Sequence, residues 1–161
     1  MYKKSVYLYV TELLHDIDGE LQKFSKLLGL EGEVREEVQS DESTEPMMMR
    51  KIEQAVGSLE SLMQAYVVDV DKKVVDNRQF DVDEYLFSLS FPENWLTSGF
   101  RGLASDMHNY IVSWCVGDYL KSSFPNQASV YEVRAEEYKW SVKHRITARV
   151  SNSLKMGRNM F

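Results

Sequence analysis

Residues that staple or punctuate small proteins are scarce in this chain. Across 161 residues there is one cysteine, Cys115, with three prolines and eight glycines. A lone thiol cannot close an internal disulfide, so a cystine-stapled secreted scaffold is excluded and an intracellular product is expected. The glycines never fall into the GxGxxG or GxxxxGK[ST] spacing that lets backbone amides cradle phosphate. No apolar run approaches the roughly 20 residues of a membrane span. Met1–Lys4 is basic, but the apolar stretch Ser5–Val10 is too short for a secretory leader and Glu12 follows at once. Histidines number three, His15, His108 and His144, too far apart in sequence for a metal pair on one helix turn. Asp69, Asp71, Asp76, Asp81, Asp83 and Glu84 lack the spacing and central glycine of a calcium loop, and Lys72, Lys73 and Arg78 intrude. Cys115 lies among Ile111, Trp114 and Val116, the setting of a buried inert thiol. No pair of carboxylates is singled out for acid–base work. No cofactor, no metal and no catalytic residue is therefore expected, and the chain reads as one that works by contact.

What is present is an ordinary globular composition with an uneven charge. Apolar residues make up 43% and charged residues 27%, enough for one domain of this length to bury a core. The net charge is −6, yet no Asp or Glu follows Glu137. Lys139, Lys143, Arg145, Arg149, Lys155 and Arg158 make that end +6 and leave −12 on the rest. Such asymmetry points the C-terminal part toward something negative: nucleic acid, or the acidic body of a neighbouring copy. It is equally the pattern of an exposed helix face with a solvated tail.

The periodicity predicts a mainly α chain, a four-helix bundle-like domain with a small antiparallel β-hairpin, in a single domain spanning 1–161. Val6, Val10, Leu13, Leu14, Ile17, Leu21, Phe24 and Leu28 repeat every three or four residues, a first helix closed by Gly29. Residues 30–45 carry seven acids against Arg35 and read as an acidic loop. Ser43 or Thr44 can cap a second helix with Pro46 in its first turn, followed by Met48, Ile52, Ala55, Leu59, Leu62 and Tyr66. From 67 to about 91 the period becomes two. Val67, Val68, Val70, Val74 and Val75 lead to a turn at Asp76-Asn77, and Tyr85, Phe87, Leu89 and Phe91 then alternate with smaller residues. A two-stranded ribbon is not stable alone, so it must lie on the helices or extend a sheet across a subunit boundary. A third helix is expected over Leu103–Leu120. A fourth, capped by Asn126, is expected from about Gln127 to Val150 along Ala128, Tyr131, Ala135, Tyr138, Val142, Ile146 and Arg149, before a basic tail at 151–161.

The stretch from Asp83-Glu84-Tyr85-Leu86-Phe87-Ser88-Leu89-Ser90-Phe91-Pro92, through His108-Asn109-Tyr110-Ile111-Val112-Ser113-Trp114 and Asp118-Tyr119-Leu120, to Phe124-Pro125-Asn126-Gln127-Ala128, Tyr131 and the basic helix resembles the head–tail connector, or neck, proteins of tailed phages and prophages. The resemblance covers roughly residues 80–150 and rests on packing and turn motifs. The proline-arginine cluster that often follows the last helix in such proteins is replaced here by Ser151-Asn152-Ser153-Leu154-Lys155. The resemblance implies a non-enzymatic structural subunit of the virion neck, assembled in the host cytoplasm. It implies a homo-oligomeric ring that docks on the portal and joins tail or neck proteins, with passing contact to packaged DNA and none with membrane. On that expectation the hairpin residues Tyr85, Phe87, Leu89 and Phe91 reach a neighbouring subunit. Lys139, Lys143, Arg145, Arg149, Lys155 and Arg158 face acidic surface on the next subunit or the portal. The alternatives are an intracellular helical protein-binding or regulatory module, and a nucleic-acid-binding protein in which Lys139, Lys143, Arg145 and Arg149 track phosphates with Tyr138 and Trp140 interleaved.

Overall fold

The structure, a computed structural model, describes residues 1–27, 45–74 and 82–150. The acidic loop up to Thr44, the Asp76-Asn77 turn and the tail from 151 with Lys155 and Arg158 lie outside the described residues. The fold is mainly α, with four α-helices and a small three-stranded antiparallel sheet among the described residues. In chain order the elements are strand β1 (Tyr2–Tyr9), helix α1 (Val10–Leu27), helix α2 (Glu45–Leu62), strands β2 (Val67–Val74) and β3 (Val82–Phe91), a 3-10 turn at Thr97–Phe100, and helices α3 (Leu103–Leu120) and α4 (Pro125–Thr147).

The first helix starts later than its periodicity predicts. Val6 belongs to β1, where Val6 and Leu8 are buried while Tyr7 and Tyr9 are exposed, the alternation of a half-covered strand. Valine at 6 fits both periods, since Val6-Val10-Leu13 is helical and Val6-Leu8-Val10 is extended. Pairing with β3 decides between them, setting Val6 opposite Phe87 and Leu8 opposite Tyr85. The expected hairpin is thus two strands of a sheet ordered β1-β3-β2, with β3 in the middle. From Val10 onward the helical stripe holds, burying Val10, Leu13, Ile17, Leu21 and Phe24. The α2 stripe holds as well, burying Met48, Met49, Ile52, Ala55, Val56 and Leu59, with Met63 just beyond.

The sheet lays one face on the helices. Val82, Tyr85, Phe87, Leu89 and Phe91 of β3 all point into the core, and their β1 and β2 neighbours on that face are Val6, Leu8, Val67 and Val70. Helix α3 is the hub, packed against α1, α2 and α4 and touching β1. Its burial runs nearly all the way round, including Ser113, Gly117 and Cys115 as well as Leu103, Met107, Ile111 and Leu120. A helix apolar on every side must be central, because no face of it is suited to water. Helix α4 begins two residues earlier than expected, with Phe124 in place of Asn126 at its N-cap and Pro125 in its first turn where the missing amide costs nothing, and it ends at Thr147. It buries only the stripe Ala128, Ala135, Val142 and Ile146 against the rest.

Ion pairs tie the outer surfaces together. Lys51 of α2 bonds to Asp118 of α3, and Lys72 of β2 bonds to Glu53 of α2. Among the described residues no helix is long and apolar enough to cross a membrane.

Candidate interaction surface

The two groups of residues that the sequence singles out do not form an outward contact surface together. Tyr85, Phe87, Leu89 and Phe91 are at most 1% exposed. Their rings and side chains are covered by the chain's own helices, so none is left to reach a neighbouring subunit; of the two fates open to the ribbon, lying on the helices is the one realised. Tyr66 and Trp95 complete that packing, the Trp95 ring stacking on Phe91 with centroids 3.8 Å apart. Burial pushes the Tyr85 phenol up to about 12. Burial likewise pushes the Cys115 thiol up, which makes it a poor nucleophile, as its apolar neighbours predict.

Arg145 and Arg149 are internal braces. The Arg145 Nε donates to Asp106 Oδ2 at 2.5 Å and its Nη1 to the Arg101 carbonyl. Ser141 Oγ donates to the same Asp106 oxygen at 2.6 Å. The site forms because the backbone folds tightly around the arginine. Gly102 has φ +81°, a conformation costly for any residue with a Cβ, and the guanidinium lies directly over it. A Cβ on Gly99 would come within 2.9 Å of the Arg145 carbonyl oxygen, which also accepts a hydrogen bond from Trp95 Nε1. Arg149 donates to the Tyr66 hydroxyl at 2.7 Å and to the carbonyls of Ile146 and Ala148. Its backbone pairs with Trp95 in an isolated antiparallel bridge, flanked by bonds from Leu96 to Ala148 and from Val150 to Asn94. Of the remaining described cations in this group, Lys139 lies 3.8 Å from Glu136 and Lys143 is exposed. The last helix therefore presents no continuous cationic strip among the described residues.

What α4 presents outward is a second apolar stripe. Val130 is 51% exposed, Val133 59% and Trp140 67%, the indole stacking on the His144 ring at 5.1 Å. Together with Glu137 and His144 these residues repeat at 3-4-3-4 spacing along the side opposite Ala128, Ala135, Val142 and Ile146. A groove of about 640 Å³ runs beside them, lined by Ser129, Glu132, Val133, Glu136, Glu137 and Trp140. Exposed large apolar groups scattered singly are ordinary; here three share one side of a single helix. The sequence carried the signal: α4 has two apolar stripes, and one helix against one core needs only one. Reading Trp140 as interleaved with lysines obscured its alignment with Val133 and Val130.

A second concave region lies where β1 meets α1 and α3. Its cleft, about 520 Å³, is bordered by Tyr7, Tyr9, Glu12, His15, Asp16 and His108 among others. His108 Nε2 is 2.7 Å from Asp16 Oδ2, so Asp16 of α1 pairs across to α3. This imidazole–carboxylate contact joins two helices. Among the described residues no group of three or more His, Cys, Asp or Glu side chains gathers to hold a metal.

No family model matches the chain, and neither does any curated protein or solved structure.

Proposed function

We propose that this protein is an assembly subunit that joins other proteins through the outward face of α4. The observation that carries the reading is the exposed stripe of Val130, Val133 and Trp140 on a helix whose opposite side already satisfies the core. Tryptophan is the residue most enriched among energetic anchors of protein interfaces, because a large flat side chain buries much area while fixing only two torsions. The groove at its foot supplies the concavity an incoming side chain needs.

The specific setting proposed is the neck of a tailed phage or prophage, with this chain as a head–tail connector subunit docking on the portal. That setting rests on the resemblance over residues 80–150, and the α4 stripe lies inside that span. The internal roles of Arg145 and Arg149 move the proposed contact from the cations to the apolar stripe.

The test is the solution mass of the purified chain, alone and mixed with the portal protein of the same phage genome, measured for the wild type and Trp140→Ser. The wild type is expected to enter a larger species, and the variant to lose it while keeping its helical circular-dichroism spectrum. Equal masses for both proteins, with and without portal, would remove the reading.

A further inference from the structure

The outward face of α4 is self-complementary. Its first half carries Glu132, Glu136 and Glu137 with Arg134 among them, and its second half carries Lys139 and Lys143. The apolar groups Val133 and Trp140 lie between and beside these halves, with Val130 toward the start of the helix. A parallel neighbour would set acid against acid. An antiparallel neighbour sets the acidic half of each helix against the basic half of the other.

We infer that the partner on this face is a second copy of this chain, its α4 running antiparallel, with the pair centred on the turn between Glu137 and Trp140. The inference rests on the proposed use of this face and names its occupant. Glu136 and Lys143 are seven residues apart, so they share one flank of the stripe. In an antiparallel pair related by a two-fold axis, like flanks meet. Centring the pair on that turn brings Glu136 of one copy within about two residues, ~3 Å of helix rise, of level with Lys143 of the other, and the reciprocal pair forms by symmetry. At that register each indole lies about level with Glu137 of the other copy and each Val133 about level with the other's His144, so the indoles hold the centre of the seam with the Glu137 carboxylates beside them. The acids already have partners within the chain, Glu132 with Lys121 at 3.2 Å and Glu136 with Lys139 at 3.8 Å. Those pairs are exposed and are given up at little cost.

One helix pair of this length buries on the order of 1,000 Å², at the lower edge of specific interfaces, so the dimer is a weak one. Its contact is isologous and closes with two copies, so any larger ring is built through other surfaces.

The experiment is sedimentation equilibrium of the full chain, without portal, across the micromolar range. The set comprises the wild type, Trp140→Ser, Glu136→Lys, Lys143→Glu and an equimolar mixture of the two charge variants. Wild type is expected to dimerise, and Trp140→Ser to weaken the dimer at least about tenfold, the loss typical of a central tryptophan anchor. Each charge variant alone sets like charges together and dimerises several-fold more weakly. Their mixture restores both pairs and associates more tightly than either alone. A thermal melt of each variant checks that these surface changes leave the fold intact. A wild type that stays monomeric, while Trp140→Ser still loses the portal complex, overturns the second copy as occupant and leaves the assembly reading standing. A dimer indifferent to Trp140→Ser overturns the use of this face by the dimer. A mixture no tighter than its components overturns the antiparallel pairing.

Discussion

The guanidinium of Arg145 ties α4 to Asp106 of α3 and to the backbone at Arg101 just before it. On the sequence it is one of six cations aimed at a partner; in the fold it holds Asp106 and the Arg101 carbonyl inside the chain. Asp106 is 14% exposed, so removing its cation leaves a largely buried carboxylate with Ser141 as its one side-chain partner among the described residues. Arg145→Ala is expected to lower unfolding free energy by about 1–3 kcal/mol, the range for orphaning a buried polar group, measured by urea denaturation. Lysine at 145 recovers only part of this, since it lacks the second arm that reaches Arg101. Asp18 is a converse case. Its pKa is raised above 3.8, chiefly by burial, with Glu45 adding to the rise and His15 opposing it. One of its oxygens is buried without a hydrogen bond among the described residues. Below 3.8 both folded and unfolded chains hold the proton. As pH climbs through 3.8 toward the raised folded value the unfolded chain releases it first, and stability falls. Asp18→Asn should therefore melt at a higher temperature than wild type at neutral pH, with the difference closing in acid below 3.8. Equal melting temperatures at neutral pH would contradict this account.

At the scale of elements, the helices were legible because burial follows their 3.6-residue period closely. The stripes through Leu13, Ile17 and Leu21, through Met48, Ile52 and Leu59, and through Ala128, Ala135, Val142 and Ile146 were all readable in advance. Strand β1 was not, because its partner β3 is some eighty residues away and the valine at 6 satisfies either period. The Arg145 brace was hidden for a related reason: its acceptor is on a different helix and its shape depends on the left-handed Gly102. The outer stripe of α4 was present in the sequence but masked by the charges beside it. Because β3 is the central strand, deleting residues 1–9 bares its edge along with Tyr85 and Phe87. That truncation is expected to yield aggregated protein, assayed by the soluble fraction and by size exclusion, since an uncovered apolar strand edge templates further pairing. A soluble, well-folded truncate would show that β1 is dispensable.

On the scale of the whole molecule, charge and apolar surface are partitioned. Two of the four described cations beyond Glu137 are inside the fold, and the acidic groups of α4 border its apolar stripe. A polyanion therefore meets carboxylates at the most hydrophobic part of α4, which favours a protein partner over a nucleic acid there. The same partition makes association through this face a matter chiefly of area, with charge setting direction, so salt should shift its orientation-dependent part modestly and leave the Trp140 contribution in place.

The order β1-β3-β2 also has a consequence for how the chain is made. Tyr2–Tyr9 is synthesised well before its hydrogen-bonding partner, which runs to Phe91. At synthesis rates of about 5–20 residues per second this strand waits several seconds, carrying Val6, Leu8 and three exposed tyrosines with no sheet to join. Its earliest stretch is thus among the last to be secured, and whatever shelters a nascent strand in the cell has its opportunity during that interval.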